Sequence, residues 1–386
     1  MTPRKLALLV IAVCLSGPAV YSLRRAVPAK ESVLMLTSAS YKLDKLYRSM
    51  EGPSSVQSDI PITDPASNSS TMGGRLNSST AQPINRFVWL TGLDTEIVDA
   101  SSQAPVSSEF FCHSNLTFAE HGTTPDQYNA RFSGKTHLDW RLFSLVPGRP
   151  SIELPKGFGV PVPSDASLDY FTMSLNLNPQ KGAVDVRMRT RLRTIAADDP
   201  AAPTKALFRR AVYVLQRERE SDSAGMGPKC SMKAGASAAR TDHVGAGCGE
   251  WMQVKMPNGS NMLMPTEGMT NHWTVTPGHH IYRSDITPQL NLPFDTTIHY
   301  ATIHVHPFAR GVELHDLTTG KTVLSLGSQD WTDRIGVAHV DEFKSATGAP
   351  ISRGHRYELT VDYDNTSGAN TDAMAILYLY LLEKEI

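Results

Sequence analysis

Residues 297–316 read TIHYATIHVHPFARGVELHD, and their alternation of apolar and polar side chains decides the fold class. Successive side chains of a strand point to opposite faces. Ala301, Ile303 and Val305 therefore share one face, and Tyr300, Thr302, His304 and His306 share the other. The Cα atoms of His304 and His306 lie roughly 6.5 Å apart in such a strand, close enough for two imidazoles to share one metal ion. The stretch predicts a strand with a dry side and a chemical side.

Similar runs lie on both sides of it. NHWTVTPGHHIYRSDI, GVELHDLTTGKTVLSL, HRYELTVDYDN and DAMAILYLYLLEKE predict a C-terminal sandwich domain over residues 267–386, with a hairpin turn at Thr318, Thr319, Gly320 and Lys321. The last strand puts Met374, Ile376, Tyr378 and Tyr380 on one face and Ala373, Ala375, Leu377, Leu379 and Leu381 on the other. Upstream, RFVWLTGLDTEIV, EFFCHSNLTF, DWRLFSLV, LDYFTMSLNLN, AVDVRMRTRLRTI and ALFRRAVYVLQRE predict a first sandwich over residues 86–217. Residues 218–266 lose the periodicity, fill with Gly, Ala and Ser, and read as a linker or insertion. The class is all-β, with two antiparallel β-sandwich domains.

Composition agrees and excludes one class of partner. The 386 residues carry 37 basic and 38 acidic side chains, so no basic surface for nucleic acid is expected. The chain begins MTPRKLALLVIAVCLSGPAVYSL, a basic start and then an apolar run shorter than a comfortable bilayer span. Residues 1–25 read as a secretory signal, with Arg24 and Arg25 leaving an uncleaved anchor open. Either way the body is expected secreted or membrane-anchored on the lumenal or extracytoplasmic side. Residues 26–85 are rich in Ser, Thr, Pro and Asn and predict a flexible stalk, with Leu43, Leu46 and Tyr47 spaced as one short helix. Cys14 falls in the leader, and a Cys230–Cys248 disulfide suits an exported chain. Asn68, Asn77, Asn115, Asn258 and Asn365 head glycosylation sequons.

Two imidazoles on one strand and the thioether of Met374 on another suit copper cycling between its two oxidation states, because nitrogen holds both and soft sulfur favours Cu(I). The plainer alternative makes His304 and His306 hydrogen-bonded residues of a polar sheet face and Met374 a gap-filler. His279 and His280 follow a Pro-Gly turn and read as solvated, while His299, on the other strand face, reads as packed and hydrogen-bonded. His243 between Cys230 and Cys248 makes only a weak zinc pattern. There is no nucleophile elbow, phosphate-binding Gly loop or HExxH.

Most of residues 85–386 resembles the copper type II, ascorbate-dependent monooxygenases, the family of peptidylglycine alpha-hydroxylating monooxygenase and dopamine beta-hydroxylase. The resemblance rests on His304-x-His306 with Met374, on WTVTPG and TSGANTDAMAILYLYL, and on LPKGFGVPV before LDYFTMSLNLN. It implies jelly-roll-like domains and a dioxygen-activating copper on His304, His306 and Met374, with ascorbate as reductant and hydroxylation of a C–H bond. It also implies a second, electron-storing copper on three histidines across a solvent-filled cleft. Here that set reads Cys112, His113 and Asn176, so one imidazole is kept; Cys112 with His113 marks an altered second site, or none, and nothing in the spacing favours His137 as a substitute. The family's carboxylate-gripping Arg is replaced by Thr302, and its Asn and Tyr after the Met align with Ile376 and Tyr378. A substrate without a required carboxylate is expected, with Tyr378 and Thr302 lining its site. The alternative from another class is a non-catalytic copper-binding or surface interaction protein that has lost the second site.

Overall fold

The structure is a computed structural model that describes residues 30–43, 56–61, 86–118, 124–178, 184–217, 253–255, 261–263 and 269–384. It is all-β, with two short α-helices, Pro125–Arg131 and Thr287–Leu290, and a 3-10 turn, Ser108–Phe110, among the described residues. The first helix starts at a capping box, in which Thr124 Oγ1 accepts from Gln127 N–H and Gln127 Oε1 accepts from Thr124 N–H.

One ten-stranded sheet runs through both halves of the chain. Its main path is Ser32–Thr37, Val184–Ala196, Phe87–Asp99, Phe158–Pro163, Lys205–Tyr213, Ala375–Leu382, Thr296–Val305 and Glu342–Ile351. A four-stranded sheet (Val56–Pro61, Ser167–Ser174, Phe111–Phe118, Arg141–Leu145) packs with the first part through a core containing Leu93, Leu116, Phe143 and Leu192. A five-stranded sheet (Gly278–Asp285, Tyr357–Asn365, Ala309–Asp316, Lys321–Asp330, Val337–Val340) packs with the second through Ile303, Val312, Leu326, Leu359 and Leu379. These are two sandwiches that share a layer.

The seam lies at Lys205–Tyr213. This strand meets Phe158–Pro163 in parallel only at Lys205 and Ala206, but pairs antiparallel with Ala375–Leu382 from Leu207 opposite Leu382 to Tyr213 opposite Ile376. The boundary expected after residue 217 is thereby corrected: the ALFRRAVYV strand is sequence-local to the first sandwich and hydrogen-bonded into the sheet of the second. Beyond the seam both faces of the sheet are covered. Ala301, Ile303 and Val305 pack in the second core, whereas Tyr300 and Tyr380 belong to the first, with Tyr380 O–H donating to Leu142 O at 3.1 Å.

Other expectations are corrected. Part of the expected stalk is sheet: Ser32–Thr37 and Tyr41–Leu43 pair with Val184–Ala196, and Val56–Pro61 pairs with Ser167–Ser174. The helix expected around Leu43 gives way to strand because Leu43, fully buried, sits opposite Val184; Leu46 and Tyr47 lie outside the described residues. Asn115 is 3% exposed inside a strand, and Asn365 is 2% exposed with its amide donating to Val275 O and Ala369 O. Neither side chain lies at the surface of the folded chain, and Asn68, Asn77 and Asn258 lie outside the described residues. So do residues 1–29, Cys230, His243 and Cys248. Among the described residues no helix is long and apolar enough to cross a membrane. The hairpin at residues 317–320 forms, with Gly320 at φ +70° and Asp316 Oδ1 accepting from Thr318 and Thr319 N–H.

Candidate metal centre

His304 lies one residue before the end of the strand Thr296–Val305, opposite Ile376, and His306 follows the strand. The chemical face faces inward, toward the first sandwich. There His113, on the Phe111–Phe118 strand, meets His304 edge to face with ring centroids 6.2 Å apart. His304 lies 5.4 Å from His306, and His306 lies 5.2 Å from His272, centroid to centroid. The rings of His113, His272, His304 and His306 are 9%, 1%, 4% and 4% exposed by residue. Four imidazoles from both halves of the chain thus form one buried cluster.

Asp372 ties two of them together. The strand Trp273–Val275 pairs with Thr371–Ala373, which brings His272, just before the first, to Asp372 in the second. Asp372 Oδ1 lies 3.2 Å from His272 Nδ1, and Oδ2 lies 2.9 Å from His306 Nδ1. Burial works to raise the Asp372 carboxyl, but His272 and His306 outweigh it and hold the group well below the usual carboxylate range. His304 is moved the other way, since burial and then the neighbouring His306, His113 and His272 hold its ring well below an ordinary histidine. Its Nδ1 is buried with no hydrogen-bond partner and, in the tautomer protonated on Nε2, offers a lone pair to a ligand.

Met374, 1% exposed, reaches the same corner through its backbone. The Tyr363 hydroxyl donates to Met374 O at 2.8 Å and accepts from Met374 N–H and His306 N–H, each at 3.3 Å. Cys112 occupies an irregularity in the pairing of its strand with Ser167–Ser174. A bulge re-aims neighbouring side chains, and here Cys112 Sγ comes 3.3 Å from His113 Nδ1. The thiol packs with Met173, Leu175 and Leu177, and burial, with the Asp372 charge, pushes it up to about 12. At neutral pH without a metal it is a thiol. Asn176 is 1% exposed, with Nδ2 unpartnered and Oδ1 accepting from Asn178 N–H. His113 and His304, expected at two centres, lie edge to face with ring centroids 6.2 Å apart.

Thr302 and Tyr378, expected to line a substrate site, face one another across the same sheet face one step from His304. Both are buried; Thr302 donates to Asp341 O, and the Arg209 guanidinium lies 4.7 Å from the Tyr378 ring centroid. A cavity of about 420 Å³ opens elsewhere, beyond His306, lined by Phe308, Arg310, Ser328, Asp330 and Trp331 among others. Burial raises the Asp330 carboxyl there to about 6. His137 stands apart, bound to Glu383. His279 is exposed on Asp362, His280 lies beside Thr276, and His299 uses both ring nitrogens, toward Thr297 Oγ1 and Ser345 O.

Sequence reasoning missed His272 and Asp372. A carboxylate at the head of the otherwise apolar run DAMAILYLYLL is the signal that was available for Asp372; His272 carries none beyond its place before WTVTPG.

No family model and no curated protein matches the chain. Among solved structures, the chain is similar to the major capsid protein P2 of bacteriophage PM2 at 8% identity over 89% of this chain and 98% of that one, with a TM-score of 0.30. The CUB1-EGF-CUB2 domain of human MASP-1/3 follows at 10% identity, covering 90% of this chain and 99% of that one, with a TM-score of 0.16. The ANX2 ectodomain of Arabidopsis thaliana has 9% identity, coverage of 89% and 88%, and a TM-score of 0.16. Likenesses at these scores carry no functional argument.

Proposed function

We propose that the chain is an exported, metal-dependent oxidoreductase of the copper monooxygenase type, with its metal centre in the histidine cluster between the two sandwiches. The observation that carries the reading is the convergence of His304 and His306 with His272, His113 and Asp372 in one buried pocket. The residues fit a transition ion on one ground above all: His304 Nδ1 is buried, neutral by environment and unpartnered. Copper bound there would supply one-electron redox chemistry and reaction with dioxygen. The chain's own residues orient and enclose the ion. Asp372 sets the direction of two imidazoles, Tyr363 fixes the backbones of His306 and Met374, and the first sandwich excludes water through His113.

A second reading has one observation in its favour. All four rings are at most 9% exposed, and the 420 Å³ cavity is not lined by them. A metal so enclosed ties the sandwiches together without turnover.

The test is copper stoichiometry on the full chain, followed by oxygen consumption with ascorbate. Ascorbate-driven oxygen uptake that requires copper and is lost in His304→Ala supports the oxidoreductase. Copper retained without uptake, with a copper-dependent rise in Tm, supports the structural tie. No copper bound overturns both.

A further inference from the structure

We infer that the ion is held by His272, His306 and Asp372, a two-histidine, one-carboxylate set, with Met374 left to the hydrophobic core of the second sandwich in which it packs. Donor atoms of these three residues all lie within 4.8 Å of one another, the one such grouping of His, Cys, Asp and Glu among the described residues. Asp372 Oδ1 to His272 Nδ1 is 3.2 Å, and Asp372 Oδ2 to His306 Nδ1 is 2.9 Å. An ion bound at about 2.1 Å by each of several donors leaves them roughly 3.0–3.4 Å apart, in octahedral or tetrahedral geometry. The observed spacings, one to each oxygen of the carboxylate, are close to that range and are also those of a His–Asp pairing without an ion.

A second observation concerns direction. Asp372 Oδ2 is buried and, despite its 2.9 Å approach to His306 Nδ1, lacks the alignment of a hydrogen bond. A buried carboxylate oxygen that comes so close without a directed bond suits lone pairs converging on a third body. Burial, with His272 and His306 at 1% and 4% exposure, shields the site from competing water.

The donor chemistry then differs from that of a thioether site. Two imidazole nitrogens and a carboxylate oxygen suit borderline divalent ions such as Zn(II), Fe(II), Co(II) and Cu(II), while the missing sulfur removes the preference for Cu(I). His304, with its unpartnered Nδ1, adjoins the set through His306, and His113 lies next to His304. The assignment rests on the cluster being a metal centre, as proposed above, and not on any reaction there.

The probe is Zn(II) added to the full chain after chelation, with bound metal counted and affinity measured by competition. One Zn(II) per chain is expected, with Met374→Leu retaining it. Asp372→Asn and His272→Gln should each weaken it at least about 100-fold, beyond the 10–100-fold of a residue that only orients a ligand. A smaller loss in both, or loss in Met374→Leu, overturns the assignment while leaving the metal centre standing. X-ray absorption at the zinc edge of the unmodified chain needs no variant to fold: a shell of nitrogen and oxygen only supports the set, and a sulfur shell overturns it. If no ion binds, this assignment and the proposed function fall together; if Zn(II) binds as assigned and ascorbate drives no oxygen uptake, only the redox reading falls.

Discussion

His113 and His304 stand edge to face with ring centroids 6.2 Å apart, one on the smaller sheet of the first sandwich and the other on the sheet both sandwiches share. The contact makes the chemical face of the histidine strand an internal surface. It also merges residues expected at two separate centres into one cluster. Whatever the cluster binds is therefore coupled to how the two sandwiches pack.

That coupling is measurable. His113→Ala and His304→Ala in the metal-free chain are expected to be non-additive in unfolding free energy by about 1 kcal/mol. Urea denaturation of the two single variants and the double variant gives the number. Strict additivity would mean that the two rings do not stabilise each other.

The Tyr363 hydroxyl serves His306 N–H, Met374 N–H and Met374 O at once in a fully buried position. Tyr363→Phe keeps the ring and strands those backbone groups, so a loss of about 2 kcal/mol is expected. Metal affinity should fall with it, since the two backbones lose their common anchor. Unchanged thermal stability would show that water replaces the hydroxyl there.

Asp330 makes stability depend on pH. Burial lifts its carboxyl to about 6 in the folded chain, against about 4 when unfolded. Between those values the folded state binds more protons, so this group lowers stability as pH rises from about 4 to about 6, and the loss persists above. Asp330→Asn should flatten that decline and leave the variant relatively more stable at pH 7. Urea midpoints from pH 4 to 7 for both proteins test it; parallel curves would count against it.

Gly148 tests the contact between the sandwiches on the far side of the seam. It sits at φ +74°, and a Cβ there would come 2.8 Å from the backbone of His339, beside the bond from Arg149 Nε–H to Val340 O. Gly157, at φ +86°, has open space around its missing Cβ. Gly148→Ala should lose about 2 kcal/mol or more, and Gly157→Ala about 1, the cost of the backbone conformation alone. Thermal melts of the two variants side by side separate strain from clash.

Much of the local structure was legible in the chain. The alternation in residues 297–306 specifies a strand, its face assignment and the neighbourhood of His304 and His306, because side-chain direction repeats every two residues. Gly320 in its turn and the apolar alternation of residues 373–381 were readable for the same reason. Partners across a sheet depend on chain segments far apart in sequence, and local pattern is silent about them. Only the tertiary structure joined Lys205–Tyr213 to Ala375–Leu382, turned the histidine face toward His113, paired Trp273–Val275 with Thr371–Ala373, and so put His272 and Asp372 beside His306. The sequence by itself determined the class of fold and one member of the candidate donor set, His306; the pairing of distant strands decided the rest, because a buried site is closed by whichever segments bury it.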